Sequence, residues 1–150
     1  MGKAATTLFL DIQGAFPNTT KNQLLLNMKS QGVPTGYVKL IDRMLTNRST
    51  RLKFDDFTSD PISILNGTTQ GCPLSMLLYA FYNTPLIEVA NHKGESINGF
   101  VDDTKFLAVG STLADCHATL KHMMERNSGG FNWSTSHGSP FELTKTALVN

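Results

Sequence analysis

Two carboxylates stand side by side at Asp102-Asp103, flanked by Ser96-Ile97-Asn98-Gly99-Phe100-Val101 and Thr104-Lys105-Phe106-Leu107-Ala108-Val109. Each flank reads as a short strand, so the pair falls at the tip of a β-hairpin. Adjacent carboxylates repel each other when ionised, and partial burial sharpens that conflict. A divalent cation removes it, because Mg²⁺ binds through one or two carboxylates plus substrate phosphates. The plainer alternative is a solvated turn in which acidic residues favour tight backbone geometry. Phe54-Asp55-Asp56-Phe57 is an acidic pair of that plainer kind, set between Thr50-Arg51-Leu52-Lys53 and Ile62-Ser63-Ile64-Leu65. What sets Asp102-Asp103 apart is the company it keeps at a distance.

Thr6 to Leu10 is an apolar, β-prone run that ends on Asp11, as in Leu8-Phe9-Leu10-Asp11-Ile12-Gln13-Gly14-Ala15-Phe16. A buried strand would deliver Asp11 at its carboxyl end, although an acid there could also cap the next turn. Further on, Thr68-Thr69-Gln70-Gly71-Cys72-Pro73-Leu74-Ser75 is loop chemistry running into a helix. Pro73 suits a first helical turn, and Leu74, Leu77, Leu78, Phe81 and Tyr82 recur at helical spacing.

In this order the segments resemble the palm of a reverse transcriptase, with the likeness closest to LINE-type retrotransposons, those without long terminal repeats. Phe9, Asp11, Ala15 and Phe16 match the first motif, Phe-x-Asp-x-x-x-Ala-Phe. Gln70, Gly71, Pro73, Leu74 and Ser75 match the second, and Phe100, Asp102 and Asp103 match the aromatic-x-Asp-Asp signature. Phe131-Asn132-Trp133 and Ser139 to Thr146 are similar to the fourth motif, whose lysine is Lys145. Pro17 stands where many relatives carry a second acid.

The resemblance implies RNA-templated DNA synthesis, a nucleotidyltransferase reaction that extends a DNA primer on an RNA template with deoxynucleoside triphosphates. It implies Asp11, Asp102 and Asp103 as ligands of two Mg²⁺ ions, with Mn²⁺ as a substitute, and Lys145 as the acid that protonates departing pyrophosphate. It places Phe16, Gln70, Gly71, Phe100 and Val101 at the nucleotide. The chain begins at the first motif and stops five residues after Lys145. The expectation is therefore a partial domain over residues 1–150, palm with a fingers segment, without N-terminal fingers or C-terminal thumb. Such a segment is expected to be inactive alone and to work within a polyprotein, beside an endonuclease.

The chemistry asks for this arrangement. Phosphoryl transfer is mostly positioning and electrostatic stabilisation. Two ions about 3.5–4 Å apart activate the primer 3′-hydroxyl and stabilise the leaving group. Asp11 and Asp102 are expected to hold both ions, with Asp103 more peripheral because strand neighbours alternate. A bulky Phe16 beneath the sugar would exclude a 2′-hydroxyl, which separates this reading from an RNA-dependent RNA polymerase. A non-catalytic remnant or nucleic-acid-binding module remains the other alternative.

Composition adds limits. Thirteen basic and twelve acidic residues leave a net charge of +1, little for a nucleic-acid binder. Lys39, Arg43, Arg48, Arg51 and Lys53 form the one local basic excess and read as a solvated face. No stretch resembles a signal peptide or a transmembrane helix, so the expected location is nucleus or cytoplasm, with no membrane partner. The sites at Asn18, Asn47, Asn66 and Asn132 are then expected to be unglycosylated. Cys72 and Cys116 are too few for a disulfide framework, and they lack zinc-ligand spacing with the four histidines.

Periodicity predicts helices over Thr19–Gln31, after Pro34-Thr35-Gly36, from Pro73 with a kink at Pro85, and from Ser111 or Thr112 to Ser128. Lys145 to Val149 reads as a last strand. The fold class is α+β: an antiparallel sheet carrying the acids, backed by helices.

Overall fold

The computed structural model describes residues 3–150. Its centre is a four-stranded antiparallel sheet in the order β6-β7-β1-β8, from β1 (Ala4–Asp11), β6 (Glu95–Phe100), β7 (Asp103–Gly110) and β8 (Ala147–Val149). Helices α4 (Pro73–Ile87) and α5 (Leu113–Glu125) pack with it, α6 (Gly130–His137) packs on α5 and α4, and α2 (Lys21–Ser30) and α3 (Thr35–Leu45) lie beyond α4. A single turn of helix, α1 (Ala15–Asn18), follows β1. The architecture is α+β, as the alternation of helical and strand patterns implies.

Strand β1 shows why one face carries the chemistry. Thr6, Leu10 and, just past the strand, Ile12 are buried, while Phe9 between them is exposed. Thr104, Phe106 and Ala108 do the same on β7. Side chains alternate across a strand, so these residues seal one face with helices and leave Phe9, Asp11, Asp103 and Lys105 on the other. Phe9 and Lys105 stand opposite in register, the ammonium 5.9 Å from the ring centroid.

Helix α5 starts on a capping box: the Thr112 hydroxyl accepts from Asp115 N–H, and the Asp115 carboxylate accepts from Thr112 N–H. Its buried residues are Cys116, Leu120, Met123 and Met124; Leu113, expected among them, is exposed. Helix α4 continues through Pro85, where a kink is expected, with buried residues on both sides of the proline, Leu78, Tyr79 and Tyr82 before it and Leu86 after it. The expected helix over Thr19–Gln31 is shorter by two residues at its start and one at its end, since Thr20 and Gln31 serve as caps.

Helix α6 has no counterpart in the sequence reading. Gly130-Phe131-Asn132-Trp133-Ser134-Thr135-Ser136-His137 is poor in helix formers, so packing has to supply what propensity does not. Trp133 and His137 are buried and stacked with ring centroids 4.9 Å apart, and the Tyr82 hydroxyl donates to the His137 carbonyl. Asn27 Nδ2 donates to the Tyr82 carbonyl and lies 3.2 Å from His137 Nε2, tying α2, α4 and α6 together. Burial holds the His137 imidazole below its usual range, in the neutral form that this amide contact requires.

Two further differences lie at the surface. The expected hairpin around Asp55-Asp56 is split into an outer pair, β2 (Arg48–Thr50) with β5 (Ile62–Ile64), and an inner pair, β3 (Lys53–Phe54) with β4 (Phe57–Thr58). Arg48 does not belong to a solvated basic face: its guanidinium donates to the carbonyls of Asn66 and Gly67. No helix is long and apolar enough to cross a membrane among the described residues.

Candidate active site

Register brings the first two motifs of acid together. On the β1–β7 pair Asp11 stands directly opposite Asp103. Opposed residues of an antiparallel pair have Cβ atoms about 4.5–5.5 Å apart. Asp102 sits in the two-residue turn between β6 and β7, its carbonyl accepting from Ile12 N–H at 3.1 Å. The hairpin tip is thereby tied to the end of β1 by backbone as well as by register.

The turn carries backbone strain. Val101 has φ 58°, a left-handed value that a β-branched residue adopts at a cost. Asp102 is not among the positive-φ residues, a pattern closer to a type II′ than to a type I′ turn. Glycine would occupy the first position freely, so the valine is held there by its surroundings.

Lys145 arrives from the far end of the chain. Residues 140–142 continue alongside β1: Gln13 N–H donates to the Pro140 carbonyl, Ile12 bridges Phe141, and Glu142 N–H donates to the Asp11 carbonyl at 2.8 Å. A 3₁₀ turn, Leu143–Lys145, follows, capped by the Glu142 carboxylate, which accepts from Thr144 N–H and Oγ1. Lys145 ends this turn rather than opening the last strand, and its Nζ lies 2.5 Å from Asp11 Oδ2. The Asp11 carboxylate, by hydrogen bond and by charge, raises the Lys145 ammonium above its usual range.

Two clefts meet at Asp11. The larger, about 490 Å³, is lined by Asp11, Asp102, Asp103, Lys145, Phe9 and Lys105, among others. The smaller, about 270 Å³, is lined by Asp11, Asp102, Phe16, Gln70 and Lys145, with Gln13 and Glu142. Phe16 is half-buried, its ring 5.6 Å from Tyr79, so it packs on α4 and still forms cleft wall. Gln70 reaches this wall because the loop before it docks on α1: Gly67 N–H donates to the Thr19 carbonyl and Thr68 N–H to that of Phe16. Gly67 permits the approach, with φ 85° and a would-be Cβ only 2.8 Å from the Pro17 carbonyl oxygen.

The sequence-derived residues therefore divide. Asp11, Asp102, Lys145, Phe16 and Gln70 share one cleft, and Asp103 joins the first three in the other. Gly71 has φ 85° beside Gln70 with open space around it. Phe100 and Val101 line neither acidic cleft; they form one wall of a separate groove against α4. Sequence reasoning missed Gln13, Glu142 and the Gly67 contact; only Asn66-Gly67, a turn dipeptide, offered any signal.

Among the described residues no three His, Cys, Asp or Glu side chains form a ready-made metal cluster. What the site offers is hard oxygen donors, the Asp11 and Asp102 carboxylates on a shared cleft with Asp103 opposite Asp11. That donor set suits Mg²⁺, which takes one or two carboxylates and completes its shell with water and substrate phosphate.

An antiparallel sheet with one open acidic face, a strained acidic hairpin and a helix-entry loop closing a cleft make up the candidate site of an α+β polymerase fold. The chain belongs to the reverse transcriptase (RNA-dependent DNA polymerase) family, whose profile it matches over residues 1–149. It is 32% identical over 78 residues to the retrovirus-related Pol polyprotein from type-1 retrotransposable element R2 of Popillia japonica, a match spanning 52% of this chain and 13% of that protein. It shares its fold with apo telomerase from Candida tropicalis, at a TM-score of 0.73 and 11% identity, covering 100% of this chain and 29% of that one. A C-terminally truncated form of the same telomerase gives 0.70 and 14%, covering 100% and 31%.

Proposed function

We propose that this chain is the catalytic palm, with a fingers segment, of an RNA-directed DNA polymerase from a LINE-type retrotransposon. It would work by two-metal nucleotidyl transfer within a larger polyprotein that supplies the remaining fingers, the thumb and an endonuclease. The observation that carries the reading is the single cleft in which Asp11, Asp102, Phe16, Gln70 and Lys145 converge. Processive synthesis is assigned to the longer protein, since the net charge of +1 gives this segment little hold on a duplex.

In the mechanism, Asp11 and Asp102 would hold the divalent ions and Asp103 would act from the neighbouring cleft. Bound metal supplies Lewis acidity at the phosphates and the primer hydroxyl. Gln70 and Phe16 wall the nucleotide and fix its position along the cleft. Lys145, paired with Asp11 before substrate arrives, carries the proton that pyrophosphate takes on leaving. In a longer polymerase chain carrying this segment, Lys145→Leu is expected to slow single-turnover chemistry about 10²–10⁴-fold, the usual contribution of a positioned acid. Nucleotide affinity should change far less, and equal rates for the two proteins would remove Lys145 from the reaction.

The choice between DNA and RNA synthesis rests on Phe16. Its ring, braced by Tyr79, would lie beneath the sugar, where a 2′-hydrogen fits and a 2′-hydroxyl collides. Close-packed sites tolerate added atoms poorly. Phe16→Val in the longer chain should raise ribonucleotide relative to deoxyribonucleotide incorporation at least tenfold, about 1.4 kcal/mol. Primer extension with paired nucleotide pools measures it. Unchanged sugar selectivity with lower stability would make Phe16 a core residue and nothing more.

A further inference from the structure

A groove of about 270 Å³ runs between α4 and the β6–β7 hairpin, and none of the three carboxylates lines it. Met76, Ala80 and Ile87 form its helical wall; Gly99, Phe100 and Val101 form the hairpin wall. Two polar residues interrupt this apolar lining. Tyr79 and Asn83, one turn apart on α4, are 0% and 5% exposed, and the Tyr79 hydroxyl and the Asn83 side-chain carbonyl have no hydrogen-bond partner.

Buried polar groups are almost always paired, and an orphan is costly in a low-dielectric interior. Here two orphans share one groove, where a single ligand edge could satisfy both. Burial, then Tyr82 and the Asp102 and Asp11 charges, raise the Tyr79 phenol, so it stays protonated and donates. The Asn83 oxygen accepts. Gly99 lets the hairpin approach α4 closely at the groove's inner end, since a Cβ there would lie 2.9 Å from Ile87 Cδ1 and 3.1 Å from Asn83 Nδ2. Phe100, 74% exposed and opposite Asp103 in register, borders the groove at its outer end.

We propose that this groove is a binding site for a small planar heterocycle bearing a lactam edge. The lactam N–H donates to Asn83 Oδ1, its carbonyl accepts from the Tyr79 hydroxyl, and the ring system lies along Met76, Ala80 and Ile87. A mostly apolar pocket with a few convergent polar groups is the usual form of a small-molecule site. The site includes neither the three carboxylates nor Lys145.

The test is a titration of the ¹⁵N-labelled protein with 2-quinolone, followed by NMR, beside N-methyl-2-quinolone, which keeps the shape and loses the donor. The expected result is saturable shifts at the amides of Asn83, Gly99 and Val101, with N-methyl-2-quinolone at least tenfold weaker. Asn83→Leu, which replaces an orphaned amide by an apolar side chain of similar size, should weaken 2-quinolone by a similar factor. Ala80→Phe, a change on the exposed side of the helix, should block the groove and serves if Asn83→Leu does not fold. Equal affinity of the two quinolones, shifts centred elsewhere, no saturation, or undiminished binding to the variants would overturn the proposal.

Discussion

Asp102→Asn, in a longer polymerase chain carrying this segment, is expected to lower the rate of nucleotide addition by several orders of magnitude without unfolding the protein. The expectation follows from where Asp102 stands. Its backbone carbonyl holds Ile12 N–H at 3.1 Å, and an asparagine keeps that bond and the turn. Its side chain is one of two carboxylates common to both clefts, so the substitution removes a charge where two cations would have to be held. Electrostatic stabilisation is most of what catalyses phosphoryl transfer, and Asp103 and Glu142 each line only one of the two clefts. Single-turnover primer extension in Mg²⁺ with a circular-dichroism control measures the effect. A variant within tenfold of the parent would sink the two-metal assignment.

The largest effect on stability is expected at Glu95, far from the clefts. Arg126 meets the Glu95 carboxylate with two parallel bonds, Nη1 to Oε1 at 2.9 Å and Nη2 to Oε2 at 2.8 Å, and Nη2 also donates to the Val89 carbonyl. The side chains are only 9% (Arg126) and 3% (Glu95) exposed. Glu95→Ala leaves the guanidinium buried and uncompensated, at a cost of about 3–5 kcal/mol, a large share of a total stability of about 5–15 kcal/mol. Urea midpoints compare the two proteins.

The same pair predicts an acid dependence. Burial alone would raise the Glu95 carboxyl, but Arg126 and the N–H groups of His92 and Asn91 outweigh it and hold the pKa below the ordinary 4.5. A carboxyl depressed in the folded state contributes its full stability above the unfolded value and loses it as pH falls through the folded one. The parent should therefore weaken below about pH 4.5 more steeply than a Glu95→Met, Arg126→Leu double variant. Parallel acid profiles for the two would show that the pair carries no such linkage.

How much of this was legible in the sequence depended on whether a signal was local. The Asp102 hairpin, the Asp11 strand end and the Thr112-capped helix each announced themselves through alternation, capping and turn chemistry within a few residues. Helix α6 did not, because only the stacking of Trp133 on His137 and the contacts to Asn27 and Tyr82, distant in sequence, select it. The 3₁₀ turn at Lys145 was hidden for the same reason: its position follows from the pairing of residues 140–142 with 11–13. Phe100 and Val101, placed by motif at the nucleotide, line the groove beside α4 and neither acidic cleft. The convergence of Asp11, Phe16, Gln70 and Lys145 rested on matched motifs; no spacing within the chain could have supplied it.

The place of β1 between β7 and β8 also governs how the molecule is made. Both neighbours of β1 are synthesised long after it, so during translation the strand waits with two open edges and apolar side chains on each side. Pairing of such sequence-distant strands is slow, and an unpaired edge is a template for aggregation in the meantime. The helices between, α2 to α4, can form from local contacts while that wait lasts. Within residues 3–150 the acidic centre is thus among the last parts to assemble: Asp11 meets Asp103 only when the hairpin closes on β1, and meets Lys145 only when the 3₁₀ turn zips beside it. A nascent chain stalled before residue 140 would pair neither Lys145 nor residues 140–142 with the end of β1, and its two clefts would lack that wall.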